Sequence, residues 1–172
     1  LLLGNGNCES NNEEEPILVC NVDILSNIDI PTLLKAYDPE EMGIVVVSER
    51  NTQRYLLFDS TNRLCGWTNI ATGEVKPASL NEKIKAVNGQ LRNESSPLSM
   101  YAFSGMQVLN PRIFGCMNEL AEQKGEKFSL IDLYLHIAEK EILRAFIPEN
   151  YRMMDVGKIN QISEAETFAQ AL

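Results

Sequence analysis

Several features that would assign a protein class are missing from this sequence. No apolar run approaches the roughly 20 residues that a membrane-spanning helix needs, and Leu1-Leu2-Leu3 is too short for the apolar core of a signal peptide. Lysine and arginine number 15 against 24 aspartates and glutamates, and the resulting net charge of -9 argues against a nucleic-acid-binding surface. We therefore expect a chain that binds neither membranes nor nucleic acids.

Residues for thiol and histidine chemistry are also scarce. The four cysteines show no C-x-x-C spacing, and unpaired thiols in a reducing cytoplasm are the simplest interpretation. The single histidine, His136, lies in an amphipathic helical pattern, which favours packing or exposure over catalysis. A phosphohydrolase with Asp23 as nucleophile is disfavoured because Leu25 stands where its general acid would be.

What is present is an ordinary globular composition. With 172 residues and 44% hydrophobic side chains, the chain suits one domain, which we assign to residues 1–172. Strand-like segments alternate with helical patterns, which predicts an α/β fold with a mixed, mostly parallel sheet flanked by helices. Segments 54–59 and 64–67 flank a polar turn and predict a β-hairpin insertion. The chain starts without Met and within an apolar segment, so we expect it to be truncated at the N-terminus.

One strand-like run ends in polar side chains. Residues 17–20 are Ile, Leu, Val and Cys, followed by Asn21 and Asp23, and the run predicts a buried strand with a carboxylate at its end. Ligands of open α/β sheets collect at the carboxyl ends of strands, so Asp23 is a candidate for binding a cation. An Asx turn or a cap of the next element explains the same two residues equally well.

A second carboxylate has a similar setting. Asp155 follows a semi-apolar stretch and precedes Val156 and Gly157, where glycine allows the backbone to turn. Magnesium takes one or two carboxylates and completes its coordination with water and phosphate oxygens. Asp23 and Asp155 are therefore candidate magnesium ligands, although spacing alone is weak evidence in a chain with many acids.

Four segments in order resemble a known family. They are Asn21–Leu25, Phe103–Phe114, Phe128–Asp132 and Met154–Gly157. Their succession is similar to that of the sugar-1-phosphate nucleotidyltransferases, which include mannose-1-phosphate guanylyltransferases, heptose-1-phosphate guanylyltransferases and N-acetylmuramate-1-phosphate uridylyltransferases. The resemblance covers nearly the whole chain and implies a Rossmann-like sheet with nucleotide on one half and sugar phosphate on the other.

The resemblance also implies an activity and a set of site residues. A nucleotidyl group would pass from a nucleoside triphosphate to a sugar 1-phosphate, with Mg²⁺ as cofactor and pyrophosphate as leaving group. Asp23 and Asp155 would be the catalytic, metal-binding residues, and Gly105 would match the glycine whose backbone lies against the sugar. Asn21 and Asp132 would lie near the substrate pocket. Whether the chain forms a homo-oligomer is left open by the sequence.

The sequence departs from the family pattern in two places. The glycine-rich loop with its Arg and its Pro-Lys, and the Thr-Gly-Gly-type segment for the base, are absent, so we expect the 172-residue chain alone to lack turnover. Residues 66–69, Gly-Trp-Thr-Asn, stand where relatives carry Glu-Lys, so sugar specificity does not carry over, and Trp67 is also explained by hairpin packing. A non-catalytic sugar-nucleotide-binding regulatory module remains the alternative function.

Overall fold

The structure is a computed structural model that describes residues 15–81, 98–157 and 162–170. Its strands are β1 (Ile17–Cys20), β2 (Ile24–Ser26), β3 (Gly43–Ser48), β4 (Arg54–Phe58), β5 (Leu64–Asn69), β6 (Glu74–Lys76), β7 (Ser99–Leu109), β8 (Leu143–Phe146) and β9 (Met153–Asp155). Its helices are α1 (Ile30–Ala36), α2 (Ile113–Lys124), α3 (Leu130–Ala138) and α4 (Ile162–Gln170). The start of the chain, Leu1-Leu2-Leu3, lies outside the described residues.

The long strand β7 organises the main sheet. The strand order is β6-β5-β4-β7-β3-β8, and β1 also pairs with β7. Residues 106–109 of β7 pair with β1, and Val108 and Leu109 within that stretch also pair with β3, so β1 and β3 occupy opposite edges of the same strand. Strands β4, β5 and β6 follow one another as antiparallel neighbours, which confirms the predicted hairpin insertion.

The direction of the strands differs from the prediction. The chain is α/β with a sheet flanked by helices, as predicted, but β3 and β8 form the only parallel pair among the described strands. The expectation of a mostly parallel sheet is therefore wrong for the described residues. The central strand β7 runs antiparallel to each of its three neighbours, β1, β3 and β4. Because β7 lies at the centre, most strand pairs of the sheet are antiparallel.

The apolar run in β3 is explained by two cores, one on each face of the sheet. Val45 and Val47 point into a large cluster that includes side chains of α2 and α3. Ile44 and Val46 point the other way, into a smaller cluster with Leu33 of α1. Because successive side chains of a strand alternate between faces, a strand covered on both sides is apolar at every position.

The strand β1 is less buried than its composition predicts. Ile17 is half-buried and Leu18, Val19 and Cys20 are exposed. The expectation that this strand is buried is therefore wrong. The strand also ends at Cys20, which places Asn21 and Asp23 in the connection to β2. The exposure arises because β7 is the one partner of β1 among the described strands.

Helix α3 begins with a capping box. Ser129 caps α3 and its side chain accepts a hydrogen bond from the amide of Asp132, while the Asp132 carboxylate accepts from the amide of Ser129. This reciprocal pair satisfies two backbone donors that a helix N-terminus otherwise leaves without partners. Across the described ranges, no helix has both the length and the apolar character that crossing a membrane requires.

Candidate functional site

A two-stranded ribbon brings Asp23 and Asp155 together. Strands β2 and β9 pair antiparallel with Ile24 opposite Asp155. The pairing continues one step further, since the amide of Val156 donates to the carbonyl oxygen of Asp23 over 2.8 Å. Two carboxylates that are far apart in sequence are thus held beside each other by backbone hydrogen bonds.

Gly157 lies between the two carboxylates. A Cβ atom built on Gly157 would be 3.1 Å from Oδ2 of Asp23 and 3.2 Å from Oδ1 of Asp155. The amide of Gly157 donates to Oδ1 of Asp155 over 3.0 Å, which orients that carboxylate. A Cβ at residue 157 would crowd both oxygens, so at least one of the two carboxylates would have to shift by a few tenths of an ångström.

The pair fits a magnesium ion that is held mainly by other oxygens. Mg²⁺ is typically bound through one or two carboxylates, with waters and substrate phosphates in the remaining positions. Within the described part of the chain, no group of three or more His, Cys, Asp or Glu side chains is arranged to hold a metal. Asp23 and Asp155 could supply one or two ligands to such an ion, and their role as metal ligands stays a prediction.

Asn21 lies directly against Gly105 of β7. The amide of Asn21 donates to the carbonyl oxygen of Gly105 over 2.8 Å. A Cβ on Gly105 would be 3.1 to 3.2 Å from the Asn21 side chain, and Gly105 has φ +77°, where L-residues are strained. Glycine is therefore required for two reasons, its backbone conformation and the close approach of Asn21. Asn21 lies on the side of Gly105 where a Cβ would be, and the contact of the Gly105 backbone with a sugar stays a prediction.

Four of the five predicted site residues form one constellation. Asn21 is two residues before Asp23, so the contact between Asn21 and Gly105 and the acidic pair share the connection from β1 to β2. The spatial grouping of Asn21, Asp23, Gly105 and Asp155 was expected from the motifs. Their individual roles in binding or catalysis stay predictions.

Asp132 lies elsewhere and has structural partners. Its carboxylate accepts hydrogen bonds from the amide and hydroxyl of Ser129 and from Lys124 at 3.0 Å. These contacts, first with Ser129 and then with Lys124, lower the pKa of Asp132 to about 2. Helix α3 contributes Leu133 to the core on the face of the sheet opposite α1. A substrate-binding role for Asp132 remains a prediction, and its described contacts are explained by capping of α3.

The residues in place of the family's Glu-Lys pair have packing roles. Gly66 faces the carbonyl of Lys76, because a Cβ there would approach that oxygen to 2.5 Å. Trp67 is buried and its ring lies 5.4 Å from the Lys76 ammonium nitrogen, a cation–π contact. Thr68 donates to the carbonyl of Glu74. These contacts of Gly66, Trp67 and Thr68 join β5 to β6, which supports the interpretation that Trp67 packs within the hairpin.

A cavity beside the constellation was not anticipated from the sequence. It measures about 450 Å³ and lies between the end of β3, the start of β9 and α4. Its lining includes the cationic side chains of Arg50 and Arg152. Ser48 ends the buried strand β3 and the polar residues 49 and 50 directly follow it, the same pattern that drew attention to Asn21 and Asp23. That pattern was the available signal.

Comparison with known proteins gives a limited result. No protein-family model matches the chain, and no curated protein matches it. Solved structures do match, among them the inositol-1-phosphate CTP transferase from T. maritima, with 15% sequence identity and a TM-score of 0.49. The match covers 90% of this chain and 56% of that one, so the chain spans little more than half the length of the matched structure.

Proposed function

We propose that this chain is the metal- and acceptor-binding part of a nucleotidyltransferase. The reaction transfers a nucleotidyl group from a nucleoside triphosphate to a sugar 1-phosphate and releases pyrophosphate. The observation that carries the proposal is the convergence of Asp23 and Asp155 on Gly157, beside the close contact of Asn21 with Gly105. The order of the four sequence motifs supports the same assignment.

The acidic pair suits the electrostatic demand of this reaction. An oxygen of the sugar phosphate attacks the α-phosphorus in line, and both reactants are negatively charged, so positioning and charge neutralisation dominate catalysis. Asp23 and Asp155 would hold Mg²⁺, which supplies that neutralisation when bound. The backbone amides of Val156 and Gly157 keep the two acidic residues in place, by donating to the Asp23 carbonyl and the Asp155 carboxylate.

The reaction is testable with a panel of substrates. The full-length protein is incubated with sugar 1-phosphates in combination with GTP, UTP, CTP and dTTP, and pyrophosphate release is measured with Mg²⁺ and with EDTA. The proposal predicts Mg²⁺-dependent release for at least one pair. Glu122→Gln, on the exposed face of α2, is the matched control that should leave this activity unchanged.

The same panel separates the enzyme from the regulatory alternative. A protein that binds a nucleotide sugar, detected by calorimetry, but releases no pyrophosphate with any substrate pair would be a sensor and would overturn the proposal.

A further inference from the structure

The cavity next to the acidic pair has the features of a ligand subsite. It has a volume of about 450 Å³, within the usual range for small-molecule pockets. Its lining comes from three parts of the chain: the end of β3 with the residues after it, the residues that lead into β9, and Phe168 of α4. Of these, β9 also carries Asp155.

Two lining residues relate the cavity to the elements that carry the candidate site. The hydroxyl of Ser48 lies 3.4 Å from that of Ser104, which directly precedes Gly105. Met153 is the first residue of β9, the strand that ends at Asp155. The cavity thus adjoins strands that carry Gly105 and Asp155.

The cavity lining contains charged residues of both signs, which are Arg50, Arg152 and Glu49. Of these, Arg50 is the cation whose contact is described, and a guanidinium attracts phosphate and carboxylate oxygens. The acidic pair attracts a cation, so the two neighbouring sites have opposite preferences.

Arg50 is positioned for recognition. One of its terminal nitrogens donates to the carbonyl oxygen of Phe103 over 3.0 Å, which fixes the guanidinium beside β7. A guanidinium has five N–H donors, so donors remain for a ligand within the described surroundings. Phosphate and carboxylate oxygens accept from a guanidinium in a bidentate geometry that a lysine ammonium does not reproduce.

The remaining lining suits the carbon skeleton of a sugar. Tyr151, Met153 and Phe168 are half-buried and contribute aromatic or apolar surface. A pocket with mostly apolar walls and a few placed polar groups orients an amphipathic ligand. A sugar that carries an acidic group meets both requirements.

We propose that this cavity binds an anionic group of the acceptor, with Arg50 as the residue that determines acceptor specificity. This rests on the proposed transferase function and extends it to the chemical class of the acceptor. The anionic group is either the phosphate of the sugar 1-phosphate or a second acidic group on the sugar. Both present the same oxygens to Arg50.

The test measures acceptor binding by isothermal titration calorimetry on the full-length protein, without nucleotide. Glucuronic acid 1-phosphate and glucose 1-phosphate form a matched pair, because they differ by one carboxylate. Each is titrated into the wild type, Arg50→Gln and Arg50→Lys. Arg54→Gln is the control, since Arg54 is an exposed cation at the start of β4 and does not line the cavity.

The expected result is a loss of roughly tenfold or more in affinity with Arg50→Gln, because hydrogen bonds to charged groups are the stronger ones, and a partial loss with Arg50→Lys. A loss confined to glucuronic acid 1-phosphate assigns the cavity to a second acidic group, and an equal loss for both ligands assigns it to the phosphate. If Arg50→Gln behaves like Arg54→Gln, or if the wild type binds neither ligand at millimolar concentration, the inference is overturned. Arg50-dependent binding without any pyrophosphate release would instead overturn the transferase function and leave the anion site standing.

Discussion

Asp23 and Asp155 place one carboxylate oxygen each at nearly the same distance from the position that a Cβ of Gly157 would occupy, 3.1 Å and 3.2 Å. The backbone pairing of β2 with β9 enforces this proximity. Without a bound cation, two carboxylates held together by the backbone repel each other, and a divalent ion removes that repulsion.

Gly157→Ala should weaken divalent-ion binding with little loss of stability. The added methyl group would crowd both carboxylate oxygens and push the acidic pair apart. We expect a loss of about tenfold or more in Mn²⁺ affinity, comparable with the effect of changing a residue that supports a metal ligand. Titration calorimetry with Mn²⁺ measures it. Gly115→Ala is the control, because its Cβ would meet nothing within 4 Å and alanine in a helix adds stability. Equal Mn²⁺ affinity in both variants would show that Gly157 is not needed for the pair.

Gly105→Ala should destabilise the protein more than Gly73→Ala. Both glycines have a positive φ, +77° and +72°, so both variants incur the left-handed strain of about 1 to 2 kcal/mol. Only Gly105 would also force its methyl group against Asn21, since a Cβ on Gly73 meets nothing within 4 Å. Urea unfolding measures the difference. Equal losses of stability in the two variants would mean that the Asn21 side chain moves aside without a free-energy cost.

Asp132→Ala should destabilise the protein by about 1 kcal/mol at neutral pH, the usual size of a lost helix cap. The pKa of Asp132 lies at about 2, below the ordinary 3.8, because Ser129 and Lys124 stabilise the charged form. A lowered pKa means that its stabilisation is present above pH 4 and disappears as the pH falls toward 2. Urea unfolding at pH 7, 5, 4 and 3 should show the difference between wild type and variant shrinking below pH 4. A difference that stays constant over this range would contradict the assigned charge interactions.

Tyr151→Phe and Tyr134→Phe should have opposite effects on stability. The hydroxyl of Tyr151 is buried and has no hydrogen-bond partner among the described residues, so removing it should be neutral or stabilising by up to about 1 kcal/mol. The hydroxyl of Tyr134 donates to the buried side-chain oxygen of Gln107, and removing it leaves that oxygen without its partner, which costs about 1 to 3 kcal/mol. Thermal unfolding of the two variants measures both effects. A loss at Tyr151 as large as that at Tyr134 would indicate a partner for the Tyr151 hydroxyl.

Local sequence patterns agree with the structure at β3 and α3 and disagree with it at β1, which is exposed. The unbroken apolar run of β3 matches a strand buried on both faces, and Ser129 caps α3 as its position before an amphipathic pattern indicates. The direction of the strands could not be predicted from such local patterns. The antiparallel course of β7 depends on how the chain returns to the sheet, and neither composition nor periodicity reports that.

The proximity of Asp23 and Asp155 was predictable from the sequence motifs, whereas their roles stay predictions. Asp23 and Asp155 were paired from their similar settings, and the β2–β9 ribbon supplies the pairing. Asp132 also belongs to one of the four motifs. Its hydrogen-bond donors are Ser129 and Lys124, so capping of α3 and the ion pair with Lys124 account for its contacts. The basic cavity depends on residues from three elements, and that convergence exists only in the folded chain.

Divalent-ion binding by Asp23→Asn, Asp155→Asn and the double variant tests the central claim most directly. Mn²⁺ titration and Mg²⁺-dependent pyrophosphate release are measured on the full-length protein, with Glu122→Gln as control. If the two carboxylates serve one ion, each single variant loses nearly all binding and turnover, the double variant loses little more, and thermal unfolding shows the fold intact. Full Mg²⁺-dependent activity in either single variant would contradict the account.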